Sequence, residues 1–442
     1  MREWLEPAVA ALLVVGLVPP ALGQATPRSS ANQGVTSMDQ IDMGAAQPVH
    51  LLFAPPEHAE DRTPFVNDAR YGAQLRSFYF NQDRFNNTRS EAWTLGGSFA
   101  VRSGYLADLL RVGAVAYTSQ RLRGPEDRDG TQLLRPGQQS YTVLGQLYAE
   151  VRLAERTFGA IGRKEYSTPY ANGFDSRMSP NTFEGASLFG STDGKDGAPE
   201  WRYGAGYLTK IKLRNSVDFV WMSSATGASV NRGLYVAGVN YAHRGFSIGT
   251  SYYRSPDIIG ISYSEAKHTL PLGGGRELTL GAQFARQKSA GDDLLTGSAF
   301  ATRQWGVKSD LDLGAPLLTL AYTGTASGAN MRNPWSSNPG FTDAQVETFN
   351  RAREKALLLR AEYEFAVHGV PGLSAYAMFV RGSGVKRPSY NENELNLNVE
   401  WAPANEAPRG TSIRLRYANV RQRGGGDPHI NEFRLIMNYD FQ

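Results

Sequence analysis

Arginines recur at every second position in an otherwise apolar run near the carboxyl end of this 442-residue chain. In Ile413-Arg414-Leu415-Arg416-Tyr417, an extended backbone puts Arg414 and Arg416 on one face and Ile413, Leu415 and Tyr417 on the other. The last run, Phe433 to Phe441, alternates likewise: Phe433, Leu435, Met437, Tyr439 and Phe441 oppose Glu432, Arg434, Ile436, Asn438 and Asp440. A guanidinium stays charged and presents a planar fork that matches a carboxylate. Two on one strand face can pass an anion along, provided each binds weakly enough to release it. The competing role is structural: Arg414 and Arg416 could pair with Glu394, Glu400, Glu362 or Glu364 and hold a wall together. Arg360, on the polar face of 355–364, joins the candidates, as do Arg102 and Lys164.

Other chemistries find little support. Cysteine is absent, which removes thiol nucleophiles, disulfides and cysteine metal sites. The six histidines, His50, His58, His243, His268, His368 and His429, lack metal spacing with a second ligand, so no metal and no cofactor are expected. No nucleophile elbow, P-loop or dinucleotide fingerprint is present. The net charge of +4 is modest, and no nucleic-acid role is assigned.

The elements that must position these arginines read as strands. Residues 1–23 have the form of a secretory signal: Arg2, an apolar run from Val9 to Val18, Pro19-Pro20, and small residues before Gln24. That run is too short to span a membrane as a helix, and no later segment supplies a longer one. Residues 24–68 read as an irregular periplasmic arm; the apolar stretch Val49 to Phe53 keeps open a role in plugging a pore or touching a partner. From Ala69 to the end, runs of roughly ten residues alternate, separated by connectors that are by turns short and long. The runs number about eighteen, an even count. Within the longest late loop, 342–353 is expected to form a short helix capped by Thr342, while 217–223 looks strand-like. Polar faces carrying Arg, Glu, Asn, Thr and Ser recur in nearly every run. A sandwich could wet those faces but would not explain the alternating connectors; a barrel lumen explains both. The fold class is therefore all-β, a transmembrane antiparallel β-barrel spanning 69–442.

Four stretches resemble the OprD family of substrate-specific outer-membrane porins: Asp175 to Glu184, Ala205 to Lys210, His368 to Leu373, and Asn431 to Ile436. The resemblance implies an eighteen-stranded barrel whose third extracellular loop folds inward, and a ladder of basic residues guiding carboxylate-bearing solutes. Carried onto this chain, the ladder is Arg414, Arg416, Arg434 and Arg177, with Arg360 added from its strand face. The constriction loop would contribute Lys164, Tyr170, Phe174 and Asp175. Two departures stand out. The chain ends Tyr439-Asp440-Phe441-Gln442, one residue past the usual terminal aromatic, and Met378 occupies a position where relatives carry a ladder arginine, with Arg381 nearby on the lipid-facing parity.

The expectation is a passive, selective outer-membrane porin for small carboxylate-bearing solutes, such as amino acids and organic or aromatic acids. A general porin is the alternative, and a barrel enzyme, surface receptor or plugged transporter stands behind it. The expected partners are small anionic or zwitterionic solutes, outer-membrane lipid and the barrel-assembly machinery. The resemblance favours a monomer or weak trimer.

Overall fold

The computed structural model describes residues 64–441, apart from 193, 195–196, 337, 404–409 and 425. The signal and nearly all of the arm lie outside the described residues. The end of the arm, Pro64–Asn67, is a single helical turn, tied to the wall where the Gly104 amide donates to the Phe65 carbonyl at 3.0 Å.

Eighteen antiparallel strands form the wall. They are β1 (Arg70–Asp83), β2 (Arg89–Arg102), β3 (Leu110–Arg123), β4 (Tyr141–Ala154), β5 (Thr157–Lys164), β6 (Thr182–Ser191), β7 (Glu200–Lys212), β8 (Leu234–His243) and β9 (Phe246–Ser255). The second half comprises β10 (Ile259–Gly273), β11 (Arg276–Ser289), β12 (Ala301–Asp312), β13 (Pro316–Thr325), β14 (Lys355–Glu364), β15 (Leu373–Ser383), β16 (Asn391–Trp401), β17 (Thr411–Arg423) and β18 (His429–Phe441). Each pairs with its sequence neighbour, and β18 pairs back onto β1 from Ala73↔Phe441 to Gln82↔Glu432. Closure leaves no unpaired edge, the condition for a sheet to exist in lipid.

Burial is inverted relative to a soluble protein. Leu95, Phe99, Ile161, Val307, Leu359, Leu397 and Leu415 are exposed, while Thr94, Asn240, Gln283, Gln304, Asn396, Asn398, Arg414 and Arg416 are buried. The exposed apolar band fits hydrocarbon, and the alternation places the polar set inside the closed sheet. Glycine is required where strands crowd: at Gly97 φ is +145° and an added Cβ would lie 1.8 Å from the Gln74 carbonyl oxygen.

One end of the barrel carries the long connectors, which by the usual asymmetry is the extracellular end. Among them are loop 2 (124–140), loop 3 (165–181), loop 4 (213–233) and loop 7 (326–354). Three expectations need correction. Residues 342–353 form no helix. Thr342 is buried with its hydroxyl 2.6 Å from that of Thr323, and the amides of Val346 and Glu347 donate to Glu394 at 2.9 and 2.8 Å instead of to a helical ladder. Within 217–223 only Val220–Trp221 pairs, against Ile211 and Lys210. Lys164 ends β5 and so belongs to the wall, not to the loop.

Candidate functional site

The terminal strands align the expected arginines by register. Across the sheet, Asn398 on β16 pairs with Arg416 on β17, and Arg416 with Arg434 on β18. One step toward the periplasmic end, Glu400 pairs with Arg414. One step toward the outer end, Arg360 on β14 pairs with Met378, Met378 with Asn396, Asn396 with Ala418, and Ala418 with Glu432. All of these lie on the buried parity, so period-2 alternation brings Arg360, Arg414, Arg416 and Arg434 to one patch of the inner wall.

Each is held. Arg414 donates through Nε to Asn398 Oδ1 at 2.7 Å and lies 3.5 Å from Glu400. Arg434 donates through Nε to Glu432 at 2.7 Å, reaches the Gln345 carbonyl of loop 7 at 3.4 Å, and stacks over Phe80 at 5.3 Å. Arg360 pairs with Glu362 and lies 4.0 Å over the Tyr376 ring. Tyr376 also borders Arg414 and Arg416. Carboxylates and carboxamides thus orient the guanidinium groups while leaving the patch rich in positive charge. Met378 is buried among these rows, and Arg381 sits on the exposed parity.

Loop 3 reaches the same region. Arg177 is buried, donating Nε to the Thr131 carbonyl of loop 2 and Nη1 to the Ser176 carbonyl, both at 2.7 Å, with its carbon centre 4.8 Å over Phe80. Burial, followed by the charges of Arg214, Arg434 and Arg416, pushes its pKa well below the ordinary arginine value. Asp175 is exposed at the tip and pairs with Arg76 of β1 at 2.9 Å. Arg76 also donates to the Arg177 carbonyl at 2.6 Å and to Asn438 at 2.9 Å. Phe174, half-buried at φ +44°, lies under Arg214 at 4.1 Å. Tyr170 is buried edge-on against Tyr253 and Tyr263, at 5.7 and 5.9 Å. Loop 3 therefore contacts β1 on one side and β9–β10 on the other. Lys164 is buried 3.3 Å from Glu150, away from the tip, and Arg102 lies on the β2–β3 side near Arg111 and Glu150.

Sequence reasoning missed three contributors. Arg76 shares the buried parity of β1 with Gln74 and Gln82, a signal available in the alternation. Arg214 stands in loop 4, where no period marks it; it donates to Ser176 at 2.5 Å and to Gln132, and burial depresses its pKa to about 10. Loop 7 lies against the basic patch, with the Gln345 amide on Asn396 at 3.1 Å and the Gln345 side chain on Glu432 at 2.9 Å. It brings Asp343 and Glu347 beside Glu394. Burial, with neighbouring carboxylates, raises Asp343 well above its usual range and Glu347 to about 8.

A cationic patch thus faces an acidic loop inside a closed barrel. Comparison with known proteins agrees with the closed barrel. A family model described as outer membrane porin, OprD family, matches residues 63–442. The chain is 24% identical over 429 residues to Porin D of Pseudomonas aeruginosa, covering 85% of this chain and 91% of that protein. Among solved structures it is similar to OccK9 (OpdG) of Pseudomonas aeruginosa, with TM-score 0.76 and 24% identity over 86% of this chain and 100% of the other. It is also similar to OpdK of the same organism, solved with vanillate, with TM-score 0.75 and 20% identity over 85% and 99%.

Proposed function

The chain belongs to the OprD family of outer membrane porins, and from that premise we propose that it passes small carboxylate-bearing solutes by passive diffusion along Arg360, Arg414, Arg416 and Arg434. It is a channel in the outer membrane through which small solutes pass, not an enzyme. The observation that carries the finer reading is the direct register pairing of Arg416 with Arg434, with Arg414 on the same face two residues along. Like charges side by side repel, and the carboxylates of Glu362, Glu400 and Glu432 offset the four guanidinium groups only in part, so the row favours a visiting anion. Several weak sites in series bind strongly enough to admit an anion and weakly enough to release it.

Loop 3 sets the size limit in this reading. Its ties to β1 and to β9–β10 run between opposite sides of the wall, which a loop splayed outward would not make. Asp175 and Phe174, the least buried of its candidates, face the path; Tyr170 and Lys164 support it from behind, and Arg177 joins ladder to loop. Loop 7 presents Glu347, held mostly protonated below about pH 8, as a hydrogen-bonding neighbour of the path, so the arginines face a solute carboxylate with little competing negative charge from this loop. The vanillate present in the OpdK structure is an aromatic carboxylate. That supports including aromatic acids.

Planar-bilayer recording of the purified protein tests this. Benzoate and glutamate are expected to interrupt the current through the wild type. In the double variant Arg414→Gln/Arg416→Gln, block weakens by about tenfold or more, the loss of roughly 1.4 kcal/mol of carboxylate binding. A large conductance with no block by either anion in the wild type would instead identify a general porin.

A further inference from the structure

The outer surface of the barrel carries a second set of arginines that the pore does not use. Arg254 on β9, Arg286 and Lys288 on β11, and Arg303 on β12 are all exposed, on the same outward parity as Tyr252, Phe284 and Trp305. The register gathers them. Arg286 is the direct cross-strand partner of Arg303. Arg254 and Lys288 both face Gly260 of β10, one from each side. Ser262 lies between Tyr252 and Arg286 in the next row. The patch is therefore floored by Gly260 and Ser262, with Arg254 and Lys288 flanking the glycine about 10 Å apart at two strand spacings. At Gly260 an added Cβ would meet nothing nearer than the Tyr252 hydroxyl at 3.6 Å, so the floor is open.

Two further observations point to an anionic occupant. None of the four cations makes a side-chain hydrogen bond or ion pair with the described residues; the nearby Asp257 is taken by Arg232 at 2.8 Å. Directly opposed like charges destabilise a sheet unless an anion sits between them. Second, the patch has a defined depth. Phe284 pairs with Trp305 one outward residue nearer the barrel's middle, and Tyr235 pairs with Arg254. Such exposed aromatics mark the membrane–water interface. The cations follow them on the side of the long loops, hence at the level of the outer leaflet's headgroups.

We propose that Arg254, Arg286, Lys288 and Arg303 form a binding site for the phosphate groups of a phosphorylated glycolipid in the outer leaflet. Two planar guanidinium forks side by side can each bond two oxygens of a tetrahedral phosphate. Gly260 and Ser262 leave room for the sugar, and Tyr252, Phe284 and Trp305 present a surface for the first acyl segments. A free phosphate would use the cations but gain nothing from the aromatic row, so the lipid is the occupant.

Native mass spectrometry of the full chain in detergent tests the site, with a diphosphorylated acyl-disaccharide as probe and its dephosphorylated form and inorganic phosphate as comparators. The wild type is expected to retain the diphosphorylated lipid above both. The variant Arg286→Gln/Arg303→Gln loses that retention by about tenfold, whereas Arg276→Gln, an outward cation at the other end of β11, leaves it unchanged. A thermal readout distinguishes this from damage to the barrel. Without lipid the double variant, relieved of its like-charge pair, unfolds no earlier than the wild type; with the diphosphorylated lipid the wild type becomes the more stable. Equal retention by wild type and double variant, equal retention of the dephosphorylated lipid, binding of inorganic phosphate as tight as that of the lipid, or a variant less stable than wild type with no reversal on adding lipid would each overturn the proposal.

Discussion

Arg76, largely buried, holds loop 3 to the wall through the exposed Asp175. The pair is charge-assisted, while the second contact, from Arg76 to the Arg177 carbonyl, survives loss of the carboxylate. Asp175→Asn should therefore loosen the tip without releasing the loop. A charge-assisted hydrogen bond contributes about 1.5–3 kcal/mol, so the population of an undocked tip rises by about tenfold or more. In single-channel traces this predicts more frequent excursions to a higher conductance level. Traces indistinguishable from wild type would mean that the pair does not gate the path. Arg177 differs in kind: its Nε and Nη1 are spent on backbone carbonyls, so Arg177→Gln should disturb loop docking at least as much as anion block. This is also where sequence reading runs short. Arg414 and Arg416 are legible because a two-residue period announces a shared face. Arg214 has no such signal, since only the folded contact between loop 4 and loop 3 gives it a place.

Loop 7 is the element whose role the linear pattern conceals. Its stretch 342–353 has the spacing of a short helix. Its amides instead find acceptors on Asn396 and Glu394 of the wall, and tertiary partners override local propensity once every donor is satisfied. That docking buries Glu347 beside Glu392 and Glu394 and raises its pKa to about 8. The sign follows. A carboxyl whose folded pKa lies above its unfolded value is protonated in the fold through the interval between the two, so the unfolded form binds fewer protons there and stability falls as pH rises. The hold of loop 7 is thus greatest in acid and weakens toward about pH 8, where a negative charge also appears beside the arginines. Reversal potentials in a salt gradient should show anion preference declining from about pH 6 to about pH 9, with Glu347→Gln flattening the decline. A profile unchanged by that substitution would place the titrating group elsewhere. The strands, by contrast, were legible in number and alternation, because lipid outside and water inside enforce alternation along each of them. The structure extends the last two runs, to Thr411–Arg423 and His429–Phe441, where ends pair beyond the region that alternation needs.

At the scale of the whole molecule, barrel closure joins stability and permeation at neighbouring positions while keeping their chemistry separate. Leu397 and Asn398 are adjacent on β16; Leu397 is exposed on the lipid side, and Asn398 is buried, accepting from Arg414 and paired in register with Arg416. The same new residue at the two positions should therefore have opposite consequences. Leu397→Asp places a carboxylate in hydrocarbon and removes apolar contact with lipid, at a cost on the order of 2 kcal/mol. Its folded band on a cold gel should be lost at lower urea, while the barrels that do fold keep wild-type selectivity. Asn398→Asp is nearly isosteric and offers Arg414 and Arg416 a charged acceptor, so the barrel unfolds no earlier. The cost falls on function, because a fixed carboxylate in the middle of the ladder competes with the solute for both guanidinium groups. Benzoate block should weaken as far as it does in Arg414→Gln/Arg416→Gln, and the reversal potential should shift toward cations. Should Asn398→Asp leave block intact, the arginines would be wall fasteners paired with Glu400 and Glu432, and the anion's path would have to follow other side chains of the interior.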